Sequence, residues 1–219
     1  MWRRREGMLI FWVISALLMT GCEAAKKVTL SEESILDLAV KTMEERYDKR
    51  FVISSISVED RGQNFTDPYY LMHASADGGN EFLITADTDG SNIRDDYGKV
   101  LYELDLRTDI EHILDDCEIK YKNMRLDYLL SDRSYDSAEE YAAAGNVRVY
   151  ADIYASADPR ESKDAQQIFE LITRMRNRGY GFQLRLHRGN GVYLLRQWGN
   201  DPEVSLDSIK VMLGENDEQ

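Results

Sequence analysis

Apolar residues recur along the chain with two spacings, one typical of helices and one typical of strands. In residues 161–178, apolar side chains such as Ile168 and Ile172 stand three or four positions apart and share one helix face. In residues 147–155, apolar and polar residues alternate, which indicates a half-buried strand. These patterns predict helices at 31–49, 94–107, 109–116, 138–144, 161–178 and 206–213, and strands at 51–58, 69–75, 81–86, 147–155, 180–187 and 192–198.

Local signals mark where several of these elements begin and end. Thr29-x-x-Glu32 and Thr108-x-x-Glu111 have the form of capping boxes, which predict helix starts. Gly179 follows an arginine-rich helical turn and predicts a helix end. The turn-forming residues 76–80 and 188–191 separate pairs of predicted strands, so each pair is expected to form a hairpin.

The order of the elements is neither regular strand–helix alternation nor all strand. It predicts an α+β fold with helices packed on antiparallel sheet. Residues 131–137 are turn formers and predict a boundary between two small lobes, residues 31–130 and 138–213. A tether at 22–30 and an acidic tail at 214–219 flank the lobes.

Residues 31–97 combine a predicted helix, antiparallel strands and the turn Asp87-Thr88-Asp89-Gly90. This arrangement resembles PepSY-type domains, in which a strand commonly ends in an Asp-x-x-Gly or Asp-x-x-x-Gly turn, and other small lipoproteins of Gram-positive bacteria without assigned activity. The resemblance rests on topology, so it implies a fold and no functional residues.

The N-terminal segment has the organisation of a secretory signal peptide. Arg3, Arg4 and Arg5 precede an uncharged apolar run at residues 8–19. A run of about 12 residues is short for a membrane span, which needs about 20. Residues 1–21 are therefore predicted to be a signal peptide.

The segment Leu18-Met19-Thr20-Gly21-Cys22 resembles the lipobox of bacterial lipoproteins, although Met19 stands where leucine is usual. The resemblance implies that Cys22 is lipidated and that acyl chains such as palmitate hold the mature chain on the extracytoplasmic face of the cell membrane. An uncleaved signal-anchor and a secreted soluble protein stay open as alternatives.

The composition is that of an acidic globular protein, with 43% hydrophobic residues and a net charge of −13. Removing residues 1–21 takes away three arginines and one glutamate, which brings the net charge to about −15. Nucleic acid is not an expected partner, because phosphate binding requires clustered Lys and Arg.

Oxygen-bearing side chains are concentrated after the third predicted strand. They are Asp87, Asp89, Asn92, Asp95 and Asp96. Because Ca²⁺ takes six to eight oxygen ligands, these residues are candidate calcium ligands, and no other cofactor is expected. Gly90 lies at the fourth loop position, whereas an EF-hand has glycine at the sixth. The alternative is a polar turn followed by helix-capping acids.

Basic residues are concentrated between residues 160 and 200, within an otherwise acidic chain. The candidates for a basic surface are Arg174, Arg176, Arg178, Arg185, Arg188 and Arg196. Such a surface would dock an anionic partner: an extracytoplasmic protein, a wall polymer or lipid headgroups. The alternative is internal compensation, with these arginines paired to the acidic first lobe.

The remaining chemistry-bearing residues form no recognisable constellation. His73, His112 and His187 are isolated in sequence, which argues against a zinc site. Cys117 is expected to be a small buried hydrophobe, and His112 points to another side of the same helix. Because catalytic motifs are absent, the favoured hypothesis is a non-enzymatic, membrane-anchored interaction or accessory module. An extracellular hydrolase assembled only in the fold and a small solute-binding lipoprotein are the alternatives.

Overall fold

The structure, a computed structural model, describes residues 29–60, 67–155, 163–198 and 201–214. The predicted signal peptide, Cys22 and residues 215–219 of the predicted acidic tail lie outside these ranges. Within them, the helices are α1 (Glu32–Tyr47), α2 (Gly98–Asp116), α3 (Ala138–Ala143), α4 (Asp164–Asn177) and α5 (Leu206–Leu213). The strands are β1 (Phe51–Glu59), β2 (Tyr69–Ala76), β3 (Glu81–Asp87), β4 (Arg94–Asp95), β5 (Lys120–Tyr128), β6 (Val147–Tyr154), β7 (Gly181–Arg188) and β8 (Gly191–Gln197). The α+β class and the two sheet-based lobes are confirmed.

The first lobe is an antiparallel sheet, β1-β2-β3-β4, with α1 packed on one face. Alternate residues of β2 and β3, such as Met72 and Phe82, point to this face and are fully buried. The helix contributes the helically spaced Ile35, Ala39 and Met43 to the same core. The N-cap of α1 is Ser31, whose side chain accepts from the Ser34 N–H; Thr29 was the predicted position and is wrong by two residues.

The second lobe is a mixed sheet, β5-β6-β7-β8. β6 and β7 are parallel, so the chain needs the crossover helix α4 between them, whereas the other two pairs are antiparallel. The inner face of this sheet presents Val149, Ile153 and Leu184 to a core completed by α2, α4 and α5. None of the helices in the described ranges is long and apolar enough to cross a membrane.

Helix α2 differs from its prediction in two ways. It is continuous from residue 98 to 116, so the predicted break at Thr108 is wrong. The Thr108 hydroxyl donates to the Leu104 carbonyl one turn earlier (2.8 Å), a bond made inside a helix and not at its start. Residues 94–95, predicted as helix, form β4 instead.

The division between the lobes lies inside α2 and not at residues 131–137. Leu101 packs against the first core, whereas Tyr102 and Leu106 pack against the second. Strand β5, which the sequence analysis did not predict, pairs with β6 of the second sheet. Residues 102–130 therefore belong to the second lobe. The start of α2 packs against the first core, and the rest of the helix packs against the second core. The turn formers at 131–137 lie in a connection within that lobe.

A buried ionic cluster joins the two lobes around Asp95, which is 1% exposed. Its carboxylate accepts from the Arg46 guanidinium, from the Tyr47 hydroxyl (2.9 Å) and from the Tyr97 N–H (2.9 Å). Its backbone N–H and C=O both bond to Ser131 of the second lobe (2.8 and 2.7 Å). Burial and the charge of Asp95 raise the pKa of the Tyr47 hydroxyl, which therefore stays a donor. We call this group the Asp95 lock.

Candidate functional site

The outer face of the second sheet, opposite its core, is rich in basic side chains. Strand alternation and register place Lys120, Lys122, Arg125, Arg148, Arg185 and Arg196 on it, against the two acids Asp127 and Asp152. All of these side chains except Asp152 are exposed or half-buried. We call this surface the cationic face. Lys122 and Arg148 have no carboxylate partner among the described residues.

Aromatic rings alternate with cations across the cationic face. The Arg125 guanidinium lies 4.7 Å from the centre of the Tyr150 ring, and that of Arg148 lies 4.6 Å from the Trp198 ring. Arg196 approaches the same Trp198 ring at 5.3 Å, and the Tyr150 and Trp198 rings are 6.3 Å apart, edge to face. We call this series the cation–aromatic ladder. Contact with ring faces holds the guanidiniums in place while leaving donors for a partner.

Asp152 organises the other half of the face. Its carboxylate accepts from Asn123 Nδ2 (2.7 Å), from His187 Nε2 (3.1 Å) and from Nε and Nη2 of Arg185 (2.7 and 3.0 Å). The hydrogen bonds from Asn123 and His187, with the charge of Arg185, hold the pKa of Asp152 below its usual range. The Tyr154 ring stacks on His187 at 4.8 Å. The carboxylate is therefore ionised, and its two oxygens accept hydrogen bonds from Asn123, His187 and Arg185.

A hollow of about 400 Å³ lies where β6 and β7 begin and β8 ends. Its walls are Leu129, Ala144, Gly145, Arg148, Arg176, Gly179, Tyr180, Gly181, Gln197 and Trp198. Gln197 Oε1 and Trp198 Nε1 are buried, and neither has a hydrogen-bond partner in the described part of the chain. Buried polar atoms usually have a hydrogen-bond partner, so it is unusual that two residues lining the same hollow each carry a buried polar atom without one. Arg148 and Trp198 belong both to this hollow and to the ladder.

The six arginines predicted to form a basic surface do not share one face. Arg185 and Arg196 lie on the cationic face, whereas Arg174, Arg176 and Arg178 lie at the end of α4. These three pair with Asp116 (2.9 Å), Glu203 (2.7 Å) and Asp109 (3.2 Å), respectively. Two guanidinium nitrogens of Arg188 are buried without a hydrogen-bond partner in the described ranges.

The internal compensation considered for these arginines does occur. Asp109 and Asp116 pair with Arg178 and Arg174; both acids fall within the predicted first lobe at residues 31–130, although their part of α2 packs against the second core. The carboxylates that pair with them come from α2, from α4, from β6 and from residues 201–203. Four basic residues of the cationic face were not predicted from the sequence: Lys120, Lys122, Arg125 and Arg148. The alternation of residues 147–155 nevertheless places Arg148 and Tyr150 on one side of a strand.

The five candidate calcium ligands are not brought together. Asp87 accepts from Asn92 Nδ2 (2.6 Å), and Asp89 accepts from the N–H and hydroxyl of Ser91. Asp95 is the centre of the lock, and Asp96 accepts from the Leu83 N–H (2.6 Å) and pairs with Lys99 (3.0 Å). In the described part of the chain, no group of three or more acidic, histidine or cysteine side chains has the geometry of a metal site.

The other candidate nucleophiles and bases lie apart from one another. His73 is on the outer side of β2, and His112 is exposed on α2 while Cys117, five residues later, is 3% exposed. His187 is paired with an acid, Asp152, but no serine or cysteine within the described ranges hydrogen-bonds to it. Among the histidines and the cysteine that the structure describes, no nucleophile lies beside a base.

Cys117 is expected to resist thiol reagents until the protein unfolds. Burial raises the pKa of its thiol to about 11, so only about 0.1% is ionised at pH 8. In a chain carrying Cys22→Ser, Cys117 is the single thiol, and its reaction with a chromogenic disulfide should be at least ~100-fold slower in buffer than in urea. Comparable rates in the two conditions would contradict this placement.

No protein-family model matches the chain, and no curated protein matches it. Among solved structures, it is similar to a DUF5037 family protein from Ruminococcus gnavus ATCC 29149, known from a crystal structure at 2.55 Å resolution. The alignment covers 83% of this chain and 100% of that one, at 12% identity and a TM-score of 0.34. A likeness at this level carries no argument about fold or function.

Proposed function

We propose that this chain is a lipid-anchored, extracytoplasmic interaction module that binds an anionic partner through the cationic face. The observation that carries the proposal is the separation of charge. Six basic side chains share one sheet face with two acids, in a chain whose net charge is −13. Such a patch attracts an anionic partner and orients the acidic remainder of the protein away from it.

Binding is favoured over catalysis because of how Asp152 is used. In a hydrolase, a carboxylate orients a histidine that in turn activates a nucleophile. Here the carboxylate also accepts from Arg185 and Asn123, and within the described ranges no hydroxyl or thiol reaches His187. The group holds cations in place on a surface, which is what a docking face requires.

Charge reversal on the cationic face should weaken binding to polyanions. We expect wild-type protein to bind fluorescent polygalacturonate, polyglutamate or polyphosphate in low salt, with affinity falling as salt is added. The double variant Lys122→Glu/Arg148→Glu should bind at least about tenfold more weakly by fluorescence anisotropy, because four units of charge change at the site.

The matched control is Lys41→Glu/Arg107→Glu, which changes the same charge on the exposed surfaces of α1 and α2. The control should retain wild-type affinity, and circular dichroism should show that both variants are folded. Equal losses in the two variants, or no salt-sensitive binding to any of the three polyanions, would overturn the proposal.

The anchor is tested separately at Cys22. In a bacterial host, the wild-type chain should fractionate with membranes and lose residues 1–21, whereas Cys22→Ala should lack the lipid by intact mass and leave the membrane after processing. A Cys22→Ala chain that stays membrane-bound with its N-terminus intact would support the uncleaved signal-anchor instead.

A further inference from the structure

We infer that the partner of the cationic face is an anionic polysaccharide and that the hollow beside Trp198 receives one of its sugar units. This inference rests on the proposed function, because it names the ligand of the same surface. The hollow, at about 400 Å³, falls within the size range of ligand pockets.

The chemistry of the ligand follows from the atoms without partners. Gln197 lines the hollow and is 8% exposed, and its Oε1 has no donor among the described residues, so a ligand that reaches this atom would offer it a hydroxyl or N–H. Trp198 Nε1 is a donor that has no acceptor among the described residues, so a ligand that reaches this atom would offer it an oxygen. Sugar hydroxyls do both, and leaving either atom unmatched would cost free energy.

The charge and shape of the hollow further limit the class of ligand that fits it. Of the described residues, no acidic side chain lines the hollow, while Arg148 and Arg176 do, which favours a sugar that carries a carboxylate or phosphate. Four small residues also line the hollow, Ala144, Gly145, Gly179 and Gly181, so a ring can approach the backbone closely.

A polymer explains why the hollow adjoins the ladder. From Trp198, the alternation of cation and ring continues through Arg148 and Tyr150 to Arg125 on the neighbouring strands. An extended anionic polysaccharide offers a repeating pair of groups: a ring face, which packs on an aromatic side chain, and an anion, which pairs with a guanidinium. A peptide of acidic residues offers the charge without the hydroxyls.

The test compares oligogalacturonate with polyglutamate of equal charge and with phosphatidylglycerol vesicles. Wild-type protein should bind oligogalacturonate at least about fivefold more tightly than polyglutamate, because only the sugar satisfies the two buried atoms. Gln197→Leu removes the acceptor while keeping bulk, and Trp198→Phe removes the donor while keeping an aromatic ring. In each variant, the affinity for oligogalacturonate should fall to the affinity that the same variant has for polyglutamate. Gln183→Leu, a half-buried amide on the cationic face that does not line the hollow, is the matched control and should keep the preference.

Folding is checked by thermal melts, and Gln197→Leu should be no less stable than wild type, since it replaces an unsatisfied buried polar group. Equal binding of oligogalacturonate and polyglutamate overturns this inference and leaves the proposed function standing. Tighter binding to the vesicles than to the sugar also overturns it, in favour of a membrane surface. If wild-type protein shows no salt-sensitive binding to any of the three ligands, both this inference and the proposed function are overturned.

Discussion

Replacing Asp95 with alanine should lower the free energy of unfolding by about 3–5 kcal/mol, because it leaves the Arg46 guanidinium buried without its counter-charge. The side chain of Arg46 is 11% exposed and that of Asp95 is fully buried. The substitution also removes the acceptor for the Tyr47 hydroxyl and the Tyr97 N–H. Arg46→Met should cost a similar amount, since the carboxylate then loses its cation.

Equilibrium unfolding in urea measures these losses. The control is Lys41→Ala, which breaks the ion pair with Glu45 at 3.8 Å between side chains that are 72% and 69% exposed. That change should cost no more than about 0.5 kcal/mol, because exposed ion pairs contribute little. A loss below about 1 kcal/mol in Asp95→Ala would show that the carboxylate is not committed to the lock.

The lock should also couple the unfolding of the two lobes. Asp95 belongs to β4 of the first sheet, and its backbone pairs with Ser131 of the second lobe. In a chain without residues 1–21, Trp198 is the single tryptophan and reports on the second lobe alone. In Asp95→Ala, the change in circular dichroism, which reports on both lobes, should therefore begin at lower urea than the change in Trp198 fluorescence.

The elements that the sequence predicted well are those whose periodicity is uninterrupted. Helix α4 and strand β6 have one apolar phase from end to end, and their bounds agree with the prediction to within a few residues. Strand β5 escaped prediction because the register shifts between Lys122 and Arg125, and Asn123 has a positive φ of 52°. Tyr121 and Leu126 both pair with inner-face residues, although they are an odd number of positions apart.

The candidate site was predictable only in part, because charged residues that are neighbours in the sequence form ion pairs with residues that are far away in the sequence. Asp95 belongs to a run of acids that resembles a cation loop, yet its cation is Arg46, far earlier in the chain. Arg174 pairs with Asp116 of another helix. The cationic face needs β5 beside β6, and no pattern in either segment shows that these two strands pair.

Two glycines at helix ends have the same left-handed conformation, but only one of them lies close to another backbone segment. Comparing them separates the effect of each feature on the free energy of unfolding. Gly145 follows α3 with φ 76°, and Gly179 follows α4 with φ 83°. A Cβ on Gly145 would meet nothing within 4 Å, whereas one on Gly179 would lie 2.4 Å from the Ala142 carbonyl oxygen and 2.5 Å from Ala143 Cα. Both obstacles are backbone atoms, so a change of rotamer cannot relieve them.

Gly145→Ala should therefore cost only the left-handed conformation of an L-residue, about 1–2 kcal/mol. Gly179→Ala should lose about 1–3 kcal/mol more than that, because the ends of α3 and α4 must also move apart, an overpacking cost. Unfolding in urea, measured for both variants under one set of conditions, gives the difference directly. Equal losses would mean that the two helix ends are not in contact at Gly179. Because both glycines line the hollow beside Trp198, a larger loss in Gly179→Ala would also show that this wall of the hollow is held by backbone packing.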